Sequence, residues 1–193
     1  MGSYISVGFV FRNNKLNLKE KMFKYLVESL QLNDYSVLIY KMCTEMDGKE
    51  SIEKKLLYRD ITDKDYHIMT KYDYGNILLM CPFLGISNQM INIIFYKENT
   101  HFGFLIELFE DVFRKKIAYD KQEVLLVEFI KRCYHNMPFD YAICENEGQI
   151  EFSPDDIDAE DLNYSILILP DKEEGFIIKK GAYLIDGVTK REL

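Results

Sequence analysis

The side chains best equipped for chemistry in this sequence lie in one run, FDYAICENEGQIEFSPDDIDAEDL, from Phe139 to Leu162. It holds nine carboxylates (Asp140, Glu145, Glu147, Glu151, Asp155, Asp156, Asp158, Glu160 and Asp161) and no Lys or Arg. Three kinds of chemistry are open to such a run. Carboxylates two apart on a strand project to the same side, so Glu145 and Glu147 form a candidate general acid/base pair. Against that, no His, Lys or Arg follows nearby to tune either one, and exposed strand carboxylates are usually solvated. A calcium loop is the second possibility. Asp156-Ile157-Asp158-Ala159-Glu160-Asp161 begins like one, but lacks the turn glycine at position six and the bidentate Glu at twelve.

The third possibility is a recognition surface. Tyr141, Ile143, Asn146 and Phe152 are interleaved with the acids, and protein interfaces combine apolar and aromatic anchors with a charged rim. On this reading Glu145, Glu147, Glu151, Asp155, Asp156 and Asp158 are the candidate protein-binding residues. The plainer alternative is that the apolar residues face the chain's own core, on a strand pair turned at Glu147-Gly148, while the acids face water.

Elsewhere the sequence offers little for catalysis. The three histidines, His67, His101 and His135, are far apart, and no H-E-x-x-H is present. Cys133 and His135, two apart on a helix, point to different faces and cannot readily share a metal or act as nucleophile and base. Gly48-Lys49 lacks the first glycine and the Ser or Thr of a phosphate-binding loop, no G-x-G-x-x-G occurs, and no G-x-S-x-G elbow is present. The four cysteines (Cys43, Cys81, Cys133 and Cys144) have no C-x-x-C spacing and apolar neighbours, so buried free thiols are expected. No metal or other cofactor is expected.

Charge narrows the partner. The net charge is −8, yet residues 1–138 sum to +1 and residues 139–193 to −9. An acidic face repels phosphate backbones and steers basic protein partners inward, so neither nucleic acid nor an anionic membrane is expected as a ligand. The opening MGSYISVGFVFRNN has no basic leader followed by an apolar stretch, and INIIFY is too short to span a bilayer, so a cytoplasmic location is expected.

The elements that must position these residues are legible in outline. YISVGFVF (Tyr4–Phe11), YSVLIY (Tyr35–Tyr40) and INIIFY (Ile91–Tyr96) have strand composition. ILLM (Ile77–Met80) and SILIL (Ser165–Leu169) read as strands covered on both faces, closed by Pro82 and Pro170. A helix is predicted from an Asn17/Glu20 cap pair through Leu30, with the stripe Leu18, Met22, Phe23, Leu26, Val27, Leu30. A second opens with Asp120 and Glu123, turns Val127, Ile130, Cys133 and Tyr134 inward, and ends before Pro138. Thr62–Lys71 is a shorter third, and FLIELFEDVF (Phe104–Phe113) is ambiguous between strand and helix. With 193 residues, 48% of them hydrophobic, this describes a single α+β domain over residues 1–193: two layers, with a mixed or mainly antiparallel sheet packed by two or three helices.

Several stretches taken in order, GSYISVGFVF, HFGFLIEL (His101–Leu108), FDYAICENEGQIEFSPDDI, YSILILP (Tyr164–Pro170) and AYLIDGVTKREL, resemble a family of small bacterial immunity proteins of polymorphic toxin systems, the one numbered sixty-four. The region from Cys43 to Asn88 lies outside the matched stretches. The resemblance implies a small, acidic, intracellular protein without enzymatic activity that binds and neutralises a cognate toxin domain, often a nuclease. It carries over no site residues. The basic surface of such a toxin is the expected complement of the acidic run. An enzyme using Glu145 and Glu147, or a regulatory module binding another basic protein, are the alternatives.

Overall fold

The computed structural model describes residues 3–30, 32–43, 51–157, 164–173 and 175–192, without the side chain of Tyr119. In these residues the chain runs β1 (Tyr4–Arg12), a 3-10 helix (Asn13–Leu18), α1 (Lys19–Ser29), β2 (Val37–Cys43), β3 (Ser51–Leu57), a short 3-10 turn (Tyr58–Asp60), α2 (Asp63–Lys71), β4 (Tyr74–Phe83), β5 (Ile86–Lys97), β6 (His101–Phe109), α3 (Glu110–Lys116), α4 (Tyr119–Tyr134), β7 (Tyr141–Asn146), β8 (Ile166–Asp171) and β9 (Gly175–Lys180). The nine strands form one sheet in the order β3-β2-β4-β5-β6-β1-β7-β8-β9, with every neighbour antiparallel.

The expected α+β class holds, with a wholly antiparallel sheet and four helices among the described residues in place of two or three. The additional helix comes from FLIELFEDVF, which is both things in turn: β6 ends at Phe109 and α3 begins at Glu110. Two expected caps are absent. Asn13–Leu18 is a 3-10 turn, α1 starts only at Lys19, and neither its N-cap nor that of α4 makes a side-chain hydrogen bond. The reciprocal cap occurs instead at α2, where the Thr62 N–H donates to Asp65 Oδ2 at 3.0 Å. Local cap pairs lose when a tertiary partner binds the same carboxylate more strongly, and Glu123 is taken by Arg191 and Lys180.

Neither proline closes its strand. Pro82 lies inside β4 at a register shift between Cys81 and Phe83, and Pro170 lies inside β8, beyond Ile168 where the β7 ladder stops. At both places a missing N–H costs little ladder bonding.

One sheet face carries the helices. Ile5, Val7, Phe9 and Phe11 of β1 join Phe23, Leu26 and Val27 of α1, Met69 of α2, and Leu126, Phe129 and Ile130 of α4 in the main core. Phe104 sits among four rings there, Phe11, Phe23, Phe95 and Phe102, with centroids 5.6–6.2 Å away. The other face is covered only in part. Over β1, β7 and β8 a second, smaller core of Val10, Tyr141, Ile143, Tyr164 and Leu167 is closed by Ile150, Phe152, Ile157 and Leu169. This double cover explains why Ile5 to Phe11 is buried without alternation.

Gly8 makes that cover possible. A Cβ there would stand 2.8 Å from Ile143 Cγ1 and 3.1 Å from the Ile150 side chain. Gly8→Val is therefore expected to lift the segment after β7 off the sheet, at about 1–3 kcal/mol of stability. Limited proteolysis should show new cleavage between residues 148 and 157. Unchanged protection would mean that Ile150 does not hold the segment down.

Candidate functional site

The six acids singled out in the sequence fall into different environments. Glu145, near the end of β7, is half-buried and fully engaged. Its carboxylate accepts from the Ser165 N–H at 2.6 Å, the Ser165 hydroxyl at 2.9 Å and the Asn146 N–H at 2.8 Å. Glu147 follows the strand with φ +49°, exposed, and its N–H donates to the Tyr4 carbonyl at 2.8 Å. The strand ends between the two, so the alternation that would have put both carboxylates on one side does not reach Glu147. The turn at Glu147-Gly148 is present, but residues 148–157 run as an irregular cover and not as a second strand.

Further along, Asp156 accepts from the buried Ser153 hydroxyl at 2.5 Å, closing a turn whose second bond is the Asp156 N–H to the Ser153 carbonyl. Asp155 is exposed and pairs with Arg12 at 2.8 Å. Glu151 is exposed, and its N–H donates to the Tyr164 hydroxyl at 3.3 Å. Asp158 lies outside the described residues. Among the described residues, Glu147 and Glu151 have no cation partner.

The folded chain also supplies cations that the run itself lacks. Arg12 and Lys15 both reach Asp140, at 2.7 and 2.9 Å. The local field is thus weaker than nine unopposed carboxylates. It is concentrated at Glu147 and Glu151, which no basic side chain reaches among the described residues. The apolar partners of the run point inward: Tyr141 and Ile143 are buried, and the Tyr141 hydroxyl donates to the Phe152 carbonyl at 2.6 Å. They seat the segment and leave its acidic side outward.

The cleft of about 350 Å³ between α4 and β9, lined by Val124, Val127, Ile178 and Ile185 with Glu123 and Lys180, contains none of the six acids. Among the described residues no group of three or more His, Cys, Asp or Glu can hold a metal ion. The cysteines are free thiols. Burial pushes Cys81 and Cys133 up to about 12 and raises Cys144 as well, which keeps them protonated and unreactive at neutral pH.

Sequence reasoning missed the part of the same sheet face that lies outside the second core. There the register sets Ile39, Leu78, Asn92 and Glu107 side by side across β2, β4, β5 and β6, and ends beside the fully buried Ser6 of β1. A neighbouring row brings Met80 beside Met90 and Phe109 beside Tyr4, the last two rings 4.8 Å apart. Ile39, Leu78, Met80, Met90 and Ile94 belong to neither core, and Met80 is 45% exposed. The available signal was the single acid in FLIELF, a carboxylate placed in an otherwise apolar strand.

A family model described as immunity protein 64 matches residues 1–191. The chain belongs to that family. The family expected from the resemblance is the family found, and an immunity role comes with it. The match extends through the region from Cys43 to Asn88. Among solved structures the chain is similar to a T6SS protein of Pseudomonas aeruginosa, with a TM-score of 0.35 and 9% identity over 75% of this chain and 43% of that one. The chain therefore spans less than half the length of that protein. No curated protein matches. For this immunity protein 64 family member, among the described residues no helix is long and apolar enough to cross a membrane.

Proposed function

We propose that the protein is a non-enzymatic, cytoplasmic inhibitor that binds the basic surface of a cognate toxin domain, such as a nuclease, through the acidic side of residues 147–156. The observation behind this reading is that Glu147 and Glu151 stand exposed, without a cation partner among the described residues, on a segment pinned to the second core. A rigidly seated acidic edge loses little conformational freedom on binding, and its field speeds capture of a positive partner. Asp155, shared with Arg12, is available for exchange with a toxin cation. Asp156 completes the proposed edge, Asp158, outside the described residues, is proposed as a further contact on its charge alone, and Glu145 acts by holding the start of β8 in place.

The toxin would be encoded as the C-terminal domain of the gene immediately upstream. Titration of that domain with the protein tests the reading. The double variant Glu147→Lys/Glu151→Lys is expected to weaken affinity by about tenfold or more, chiefly through slower association, and to flatten its salt dependence. Both positions are exposed, so the melting temperature should hold. An unchanged affinity and salt slope would place the toxin elsewhere on the protein.

A further inference from the structure

The part of this sheet face outside the second core combines charge, burial and unmet hydrogen bonding in one row. Glu107 of β6 is half-buried, flanked in register by Asn92 on β5 and Ser6 on β1. Its Oε2 accepts from Asn92 Nδ2 at 2.7 Å, and among the described residues no cation reaches either oxygen. Asn92 Oδ1 and the Ser6 hydroxyl, on a residue that is 0% exposed, are buried without a protein partner. Buried acceptors left unmet cost about 1–3 kcal/mol each, and such groups are uncommon enough to need a reason.

The row is bordered by apolar side chains that belong to neither core: Leu78, Met90, Ile94, Phe109 and Tyr4. The exposed lysines of this face, Lys41 and Lys55, sit at the far margin on β2 and β3, three and four strands from Glu107. At the other end of the Phe109–Tyr4 row stands Glu147. The face thus has an apolar field, an acceptor row at its middle and the acidic edge beside it.

We propose that this row is the central anchor point of the toxin interface, and that Glu107 and Asn92 together accept an arginine side chain of the toxin domain. The inference rests on the immunity reading and adds a specific contact to it. A carboxylate and an amide oxygen on adjacent strands suit a guanidinium, which presents five donors in a flat fork and is weakly hydrated, better than a compact ammonium. Turning the half-buried Asn92 and Glu107 side chains toward the arriving group meets the Asn92 acceptor left unmet in the unbound protein. The apolar border excludes water from the pair, which is where charged contacts at an interface matter most.

The test uses the full chain and the toxin domain encoded immediately upstream, with affinity and melting temperature measured together. Glu107→Gln keeps the shape and removes the charge. Its expected result is a dissociation constant raised by about thirtyfold or more, at an equal or higher melting temperature, since an unpaired half-buried charge has been removed. Ser6→Ala is expected to change binding by less than about twofold with no loss of stability, because Ser6 is fully buried and its hydroxyl has no bond to lose. Glu53→Gln, on the β3 edge, should change affinity by less than about twofold.

A Glu107→Gln variant that binds like the parent overturns the anchor while leaving the immunity reading intact. So does one that melts well below the parent, which would make Glu107 a structural group. A parent protein that does not bind the toxin domain at all overturns both.

Discussion

Phe104→Ala is expected to remove about 3–5 kcal/mol of stability, the usual range for emptying a fully buried phenylalanine site. Phe104 is 0% exposed at the middle of β6, and its ring meets Phe11, Phe23, Phe95 and Phe102. Those partners come from β1, α1, β5 and β6 itself, so the cavity opens where the sheet meets the helical layer. Rings fixed in edge and tilted contacts cannot collapse into such a space without leaving their rotamers. A domain of this kind has about 5–15 kcal/mol in all, so urea unfolding should show a much earlier midpoint. The same variant should also protect cells less, through reduced abundance, while the surviving folded fraction binds toxin normally. A midpoint shift under about 1 kcal/mol would mean that neighbouring rings repack, contrary to the four-ring arrangement.

The second large effect is expected at the C-terminal segment. Arg191 binds Glu123 of α4 in a two-pronged pair at 2.6 and 2.9 Å, and also donates to the carbonyls of Gly181 and Ser165. Both side chains are only 14% exposed. Ser165 in turn donates to Glu145, so one network joins α4, the start of β8, the end of β7 and the last residues of the chain. Arg191→Ala should cost about 2–4 kcal/mol, because it leaves Glu123 poorly compensated.

The effect should depend on pH in a definite sense. Burial pushes the Glu123 carboxyl up, but the hydrogen bonds and charges of Arg191 and Lys180 outweigh it and hold the group below its ordinary 4.5. A folded-state value below the unfolded one gives stability that is present above the unfolded value and lost as pH falls through the folded value. The gap between parent and Arg191→Ala should therefore be full at neutral pH and close in acid below about pH 4. Denaturant titrations at several pH values check this, and a gap that widened in acid would contradict the pairing. Asp65 and Asp186 are also held low against the opposing effect of burial. Asp65 is held by Lys54 and Thr62, and Asp186 by Thr189, Val188 and Arg114. Both should add to the acid lability of the parent protein.

Composition and local pattern determined a good deal of this protein. The β-branched and aromatic runs at Tyr4–Phe11 and Ile91–Tyr96 are strands, and the apolar stripe from Met22 to Val27 is a buried helix face. These features are legible because periodicity in one segment reflects burial of that same segment. The family was legible too, from stretches such as HFGFLIEL and YSILILP taken in order along the chain. Ser51–Leu57, exposed over most of its length, and Gly175–Lys180 are edge strands whose burial pattern carries little such signal.

Only the tertiary structure decided what each acid does. Glu145 and Glu147 are alike in sequence, yet one is bonded by Ser165 from twenty residues away and the other stands in solvent. Arg12 and Lys15 reach Asp140 from more than a hundred residues away, reducing a charge that the linear run appeared to leave unopposed. Glu107 gained its flanking acceptors only when β5 and β1 came to lie on either side of β6. A hydrogen bond or an electrostatic contact depends on distance in space, and antiparallel pairing brings together residues whose separation along the chain carries no trace of it.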